Sequence, residues 1–200
     1  MQTPPPQLIL ITPSARATNL KKVAASIRWP YVKHWYIVYD GRKPPPELQF
    51  SSNPKISEYI VTDKNSTAGN AQRNYVLDRF SQDPTLCADS YVYFLDDDNV
   101  IHPKLYELLD RIRPGHLYTF NQLRPPSVFP YVDLLQGNCV QVKKIDTAMY
   151  LIWGSMIGQH RWIHDRYDAD GYFITAIFEE NKDRWIWVDE CMAYYNALTQ

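Results

Sequence analysis

Tyr91-Val92-Tyr93-Phe94-Leu95-Asp96-Asp97-Asp98-Asn99 is the stretch whose reading decides the fold. Five apolar and aromatic side chains with strong β preference run without a break into three aspartates. A short continuous apolar run of this kind is a buried strand, and its C-terminal tip carries the charge. In an open α/β sheet, ligands sit outside the carboxyl ends of the strands, so an acidic tip there points to a binding site. The alternative is an acidic turn leading into the next helix, for which a single aspartate would suffice.

Working outward from this strand, the same alternation appears on both sides. Upstream, Val76, Leu77 and Phe80 form the apolar stripe of a helix starting near Ala71, with Gln72, Arg73 and Asn74 in its first turn and Gly69 in the loop before it. Ser57 to Val61 reads as a short strand. Pro44-Pro45-Pro46 interrupts the chain, because three prolines lack donors and fix φ. His34 to Tyr39 is a strand ending at Asp40-Gly41, and Leu20, Val23, Ala24 and Ile27 recur at helical spacing between Asn19 and Ile27. Leu8 to Ile11 is a first buried strand closed by Thr12-Pro13-Ser14.

Downstream, Pro103 opens a helix with Leu105, Leu108, Leu109 and Ile112 on one face, ended by Pro114-Gly115. The second half is less regular. Leu117 to Phe120, Cys139 to Val142 and Trp185 to Val188 read as strands, Thr147 to Ile152 as a short helix or strand, and Gly171 to Phe178 as a helix. The pattern predicts an α/β fold with a mainly parallel central sheet flanked by helices.

The chain has 200 residues, 45% of them hydrophobic, with 21 basic and 22 acidic side chains, which suits one globular domain. A net charge of −1 provides no general attraction to nucleic acid. Cys87, Cys139 and Cys191 are far apart and show neither disulfide nor zinc spacing. The five histidines likewise lack the spacing of a zinc motif. No apolar run approaches the ~20 residues of a membrane span, and MQTPPPQ has no basic leader, so a soluble, cytoplasmic protein is expected.

The tips of the three strands bring together Thr12, Pro13, Ser14 and Arg16, then Asp40, then Asp96, Asp97 and Asp98. Three adjacent carboxylates repel one another unless a cation neutralises them. Mn²⁺ or Mg²⁺ does so, and such ions bind one or two carboxylates plus the phosphates of a substrate. Asp96 and Asp98 are the candidate ligands, with the alternative that one binds ribose while the other binds metal. An acidic segment in the second half, Asp168 and Asp170, offers a general base, with N-capping of the following helix as the plain reading.

Ile11 to Arg16, His34-Trp35 with Asp40, Gly69 to Asn74, and Tyr93 to Asn99 together resemble the family-43 β-1,3-glucuronyltransferases. They also resemble the wider GT-A-fold transferases with an Asp-x-Asp motif, short soluble viral enzymes among them. The resemblance covers about the first half of the chain. It implies a single GT-A-like domain with a nucleotide-sugar-binding half, residues 1–100, and an acceptor-binding and catalytic-base half, residues 101–200. The implied activity is metal-dependent transfer of a sugar from a nucleoside diphosphate, UDP favoured, to a hydroxyl of a glycan or glycoprotein, with inversion.

By resemblance, Thr12, Pro13, Ser14 and Asp40 would hold the nucleoside, Asp96 and Asp97 the uridine or donor sugar, and Asp98 the metal. Arg73 would approach the sugar or its phosphates, and Asp170 would be the base, with Asp168 second. Gly137 and Asn138 would lie near donor and acceptor. Trp153 and Trp162 are candidate platforms for an acceptor sugar, although six tryptophans make some of them core. The family's C-terminal histidine segment has no counterpart between Val188 and Gln200. Two alternatives remain: a sugar-nucleotide nucleotidyltransferase, against which the glycine-free loop Thr12 to Arg16 argues, and a non-catalytic carbohydrate-binding module.

Overall fold

A computed structural model describes residues 5–43, 47–124 and 133–198. The prolines at 44–46 lie outside the described residues. In chain order the strands are β1 (Gln7–Ser14), β2 (Val32–Asp40), β3 (Ile56–Val61), β4 (Ser90–Phe94), β5 (Val100–Ile101), β6 (Leu117–Arg124), β7 (Asp133–Leu135), β8 (Tyr150–Trp153) and β9 (Trp185–Tyr194). The helices are α1 (Leu20–Ala25), α2 (Asn70–Gln82), α3 (Lys104–Leu109) and α4 (Ala169–Glu180).

One sheet runs in the order β3-β2-β1-β4-β8-β6-β9-β5, with β7 added to β6. The first four strands are mutually parallel, as the βαβ alternation predicts. Beyond β4 the sheet is mixed: β8 is antiparallel to both β4 and β6, whereas β9 runs parallel to β6. The central strands are buried on both faces. Leu8 and Leu10 of β1, Trp35 and Ile37 of β2, and Tyr91 and Tyr93 of β4 enter one core, which α1 and α3 cover with Leu20, Val23, Leu105 and Leu109. Their alternate neighbours Ile9, Ile11, Tyr36, Val38, Val92 and Phe94 enter the other, covered by Val76, Leu77 and Phe80 of α2 and Phe173, Ile174 and Ile177 of α4. Side-chain alternation along each strand therefore feeds two separate helix layers. Each fully buried aliphatic or phenyl side chain contributes about 1.5–3 kcal/mol.

The differences from the sequence reading have local causes. Thr12, Pro13 and Ser14 continue β1 in register with Ile37, Val38 and Tyr39. Cys139 to Val142 forms bends and a turn rather than a strand. Next to it Lys143 has φ of 67°, a left-handed backbone that interrupts any extended run. Thr147 to Ile152 divides into a 3₁₀ turn over Thr147–Met149 and then β8. β5 and β7, two and three residues long, are too short to show a period. No helix among the described residues is long and apolar enough to cross a membrane.

Candidate active site

A cleft of about 860 Å³ opens at the carboxyl ends of β1, β2 and β4. Its first wall is the tip of β1. Asp97, buried just past β4, accepts hydrogen bonds at Oδ2 from Ser14 Oγ (3.2 Å) and from the backbone N–H groups of Ala15 (2.8 Å) and Arg16 (2.6 Å). Its Oδ1 accepts from Arg16 Nε (2.9 Å) and lies 2.7 Å from Arg16 Nη2. Five donors saturate this carboxylate, so Asp97 fastens the β1 loop to the β4 tip and has no lone pair left for a nucleoside or sugar. This corrects its expected role as a donor contact.

Arg16 also lies 2.7 Å from Asp98 Oδ2. Asp98 is nevertheless pushed up to about 6, by burial first and by the charge of Asp96 second, with Arg16 opposing. Asp96 pairs with Arg73. Two arginines, rather than a metal alone, thus neutralise much of the triad, which weakens the repulsion argument for an ion. The oxygens still fit one. Asp98 and Asp96 both line the cleft, and burial is the main reason that Asp98 is raised. Among the described residues no cluster of three or more His, Cys, Asp or Glu side chains forms a ready cage. Asp96 and Asp98 could offer an ion one or two carboxylates, with phosphate oxygens and water left to complete its shell.

Arg73 enters from the first turn of α2. Gly69 precedes that helix with φ of +81°, and a Cβ there would come within 2.6 Å of Pro13 Cβ, so only glycine lets α2 approach the β1 tip. Buried Arg73 donates through Nη1 to Ala68 O (2.7 Å), and its guanidinium lies 4.3 Å from the centre of the Trp162 ring. Two asparagines of the same helix bind the opposite wall. Asn70 Nδ2 donates to the carbonyls of Ile163 (2.9 Å) and Arg166 (2.8 Å), and Asn74 exchanges hydrogen bonds with the backbone N–H and C=O of Trp162, both 2.8 Å. The loop that leads to Asp168 and Asp170 is thereby held against α2.

Asp170 lines the cleft, half-buried, in the first turn of α4. Its Oδ1 accepts from the N–H of Gly171 (2.8 Å). Burial, then the charge of Asp146, pushes its pKa up to about 7. Asp168 is paired with Arg166 (2.9 and 3.1 Å), which holds it below the usual carboxylate range and makes it the poorer base. At the β2 tip, Asp40 is forked by Arg42 (2.6–3.0 Å), and this lowers its pKa.

Pro13, Ser14, Arg16, Asp40, Arg73, Asp96, Asp97, Asp98, Asp168 and Asp170 thus meet around one cleft. Four expected residues are not among those lining it. Thr12 is fully buried and its hydroxyl accepts from Trp35 Nε1 (2.8 Å). A Cβ on Gly137 would lie 2.4 Å from the Phe120 carbonyl, so this glycine serves backbone packing. Asn138 is exposed and donates to Gln136 (3.4 Å). Trp153 packs edge-on against Tyr91 (5.1 Å). Trp162, buried and stacked on Phe173, lies in the cleft floor rather than forming an open platform.

The sequence reading missed Asp146, whose Oδ1 accepts from Thr147 N (2.7 Å) and whose pKa is raised, mainly by burial. Asp-Thr opening a short turn is a capping signal that could have located it. Arg42, Lys143, Tyr167 and Tyr195 also line the cleft and carried no comparable signal.

No family model matches the chain, and no curated protein sequence does either. Among solved structures it is similar to a 4-diphosphocytidyl-2C-methyl-D-erythritol synthase, with TM-score 0.58 and 10% identity over 98% of this chain and 94% of that one. Weaker similarities, both at 10% identity, are to a Bacillus anthracis protein assigned as a glucose-1-phosphate thymidylyltransferase (TM-score 0.48, 93% of this chain and 87% of that) and to a glycosyltransferase involved in glycosylation of the major capsid of PBCV-1 (TM-score 0.42, 94% and 93%). The first of these shows the class: a single mixed α/β domain of the architecture shared with that synthase, over nearly its whole length.

Proposed function

We propose that the cleft binds a nucleoside-diphosphate sugar, UDP favoured, and transfers the sugar to a hydroxyl of a glycan or glycoprotein acceptor. One observation carries this reading. Asp170, a carboxylate held near neutrality, lines the same cleft as Asp96 and Asp98 at the β4 tip. A base and a pair of carboxylates able to hold a cation for a diphosphate, in one cavity, are what such a transfer requires.

Pro13 and Ser14 would border the nucleoside, with Asp40 held in place by Arg42. Arg73 and Arg16 would face the sugar and diphosphate. A divalent ion such as Mn²⁺ or Mg²⁺, held by Asp98 with Asp96, would offset the charge that develops on the leaving diphosphate. The Asp170 oxygen not engaged by Gly171 takes the acceptor proton as the new C–O bond forms and the bond to the diphosphate breaks, the diphosphate leaving with the electron pair. With Asp170 as a single base on the face opposite the leaving diphosphate, no carboxylate nucleophile is required and the anomeric carbon inverts. The near-neutral pKa suits proton transfer at ordinary pH.

Calorimetric titration of UDP and of GDP, with and without Mn²⁺, tests this on the wild type and on Asp98→Ala. Metal-dependent UDP binding lost in the variant supports the reading, and binding of neither nucleotide removes it. The alternative of nucleotidyl transfer predicts pyrophosphate release from a nucleoside triphosphate and a sugar phosphate, the control to run beside it.

A further inference from the structure

Resting on that reading of the cleft, we infer that Trp162 is a binding residue for the transferred sugar, donating its indole N–H to a sugar oxygen. Trp162 stands between the two ends of the transfer. On one side its ring centre lies 4.3 Å from the guanidinium of Arg73, which pairs with Asp96 at the β4 tip, the end that would take the metal and the diphosphate. On the other it stacks on Phe173 (ring centres 5.1 Å apart, planes at 20°), in the helix whose first turn carries Asp170. Asp170 is within electrostatic range of both Arg73 and Asp96. A sugar joining the diphosphate to an acceptor at Asp170 would span the interval that this ring occupies.

The ring is held in place and only its N–H is unused. Asn74 fixes the Trp162 backbone through both N–H and C=O, Phe94 packs edge-on at 5.2 Å, and Phe173 and Arg73 engage the ring. Trp162 is 2% exposed yet lines the cleft, and its Nε1 has no hydrogen-bond partner among the described residues. Other tryptophans differ. Buried Trp35 gives its N–H to Thr12 (2.8 Å), and half-buried Trp185 and Trp187 give theirs to Thr119 (2.9 Å) and Asn121 (3.3 Å). Arg73 Nε, in the same stack as Trp162, is equally unpartnered. A buried N–H without an acceptor costs the desolvation of the group, and native proteins keep few of them. Two such donors on stacked side chains of one cleft mark a place where a ligand supplies the acceptor. The hydroxyl and ring oxygens of a sugar accept these bonds whether or not the sugar is charged.

The test is calorimetric binding of UDP, UDP-glucose, UDP-galactose, UDP-N-acetylglucosamine and UDP-glucuronate, with Mn²⁺, to the wild type and to Trp162→Phe. Beside it, the indole N–H signals are followed in proton–nitrogen correlation spectra with diamagnetic Mg²⁺. Phenylalanine keeps an aromatic ring against Phe173 and Arg73 and deletes the N–H. The UDP-sugar that binds the wild type most tightly should bind Trp162→Phe about three- to tenfold more weakly. Affinity for UDP itself should stay within about twofold. In the spectra, the indole signal of Trp162 should hold its place with UDP and move downfield with the UDP-sugar, a response that a merely structural ring does not give. Should Trp162→Phe not fold, sequential assignment of the wild type identifies the signal and the spectra decide. Equal loss of UDP and UDP-sugar affinity, a shift already complete with UDP, or a signal that answers none of the UDP-sugars overturns the inference and leaves the transferase reading standing. Failure of UDP and every UDP-sugar to bind the wild type defeats that reading and the inference with it.

Discussion

Asp97 and Asp98 are neighbours in one tight tip, yet their replacement by asparagine should move stability in different directions. Asp97→Asn keeps the shape but turns an amide towards donors that now need an acceptor: Ser14 Oγ and two backbone N–H groups on one oxygen, Arg16 on the other. Leaving such buried, charge-assisted bonds unmade costs about 3 kcal/mol or more. Asp98 starts from a disadvantage, since burial and Asp96 raise it from 3.8 to about 6. That difference corresponds to a cost of roughly 3 kcal/mol for holding it ionised at pH 7.5. Asp98→Asn removes this cost and loses one of the contacts of Arg16, so its stability should lie within about 1 kcal/mol of wild type or above it. Because the folded pKa exceeds the unfolded one, the native state holds the proton more tightly. The wild type therefore recovers stability as pH falls from about 7 towards 4, and the gap to Asp98→Asn closes over that window. Urea denaturation of wild type and both variants at pH 7.5 and pH 4.5, with chelator present, measures both effects. Equal destabilisation by the two substitutions at pH 7.5 would refute this account of the tip.

Further outcomes follow for the cleft and the strands behind it. Asp170→Asn should lower kcat by about 10²–10⁴-fold while UDP affinity persists; the wild-type rate should rise with pH around 7, and Asp146→Asn should move that limb to lower pH, because Asp146 is the charge that most raises Asp170. Thr12→Val should cost about 1–3 kcal/mol in urea denaturation by stranding Trp35 Nε1, with UDP affinity unchanged within about twofold.

The parallel half of the sheet was legible because its strands are buried on both faces and punctuated by helices at regular intervals, as in Leu8 to Ile11, His34 to Tyr39 and Tyr91 to Leu95. The acidic tip was legible for the same reason, since charge after an apolar strand stands out. Who neutralises whom was not. The saturation of Asp97 depends on Ser14, Ala15 and Arg16, some 81–83 positions away, and no local pattern encodes such a meeting. Thr12 and Trp153 were misplaced because a polar or aromatic residue near a strand end does not declare which way it points. Asp146 lay in a stretch too irregular to assign, although its cap to Thr147 was a readable clue. The antiparallel insertion of β8 between β4 and β6 follows from topology rather than from any period in its four residues.

β9 is the last of the described strands in the chain but sits inside the sheet, between β6 and β5. During synthesis the N-terminal β3-β2-β1-β4 unit can form early, whereas β6 has no partner on that side until β9 has been made. A ribosome-bound chain halted after about residue 184 would therefore present β6 as an open edge, ready to pair with another nascent copy. Production of this protein should accordingly depend on slow translation and low temperature up to the final strand, and very little once that strand is in place.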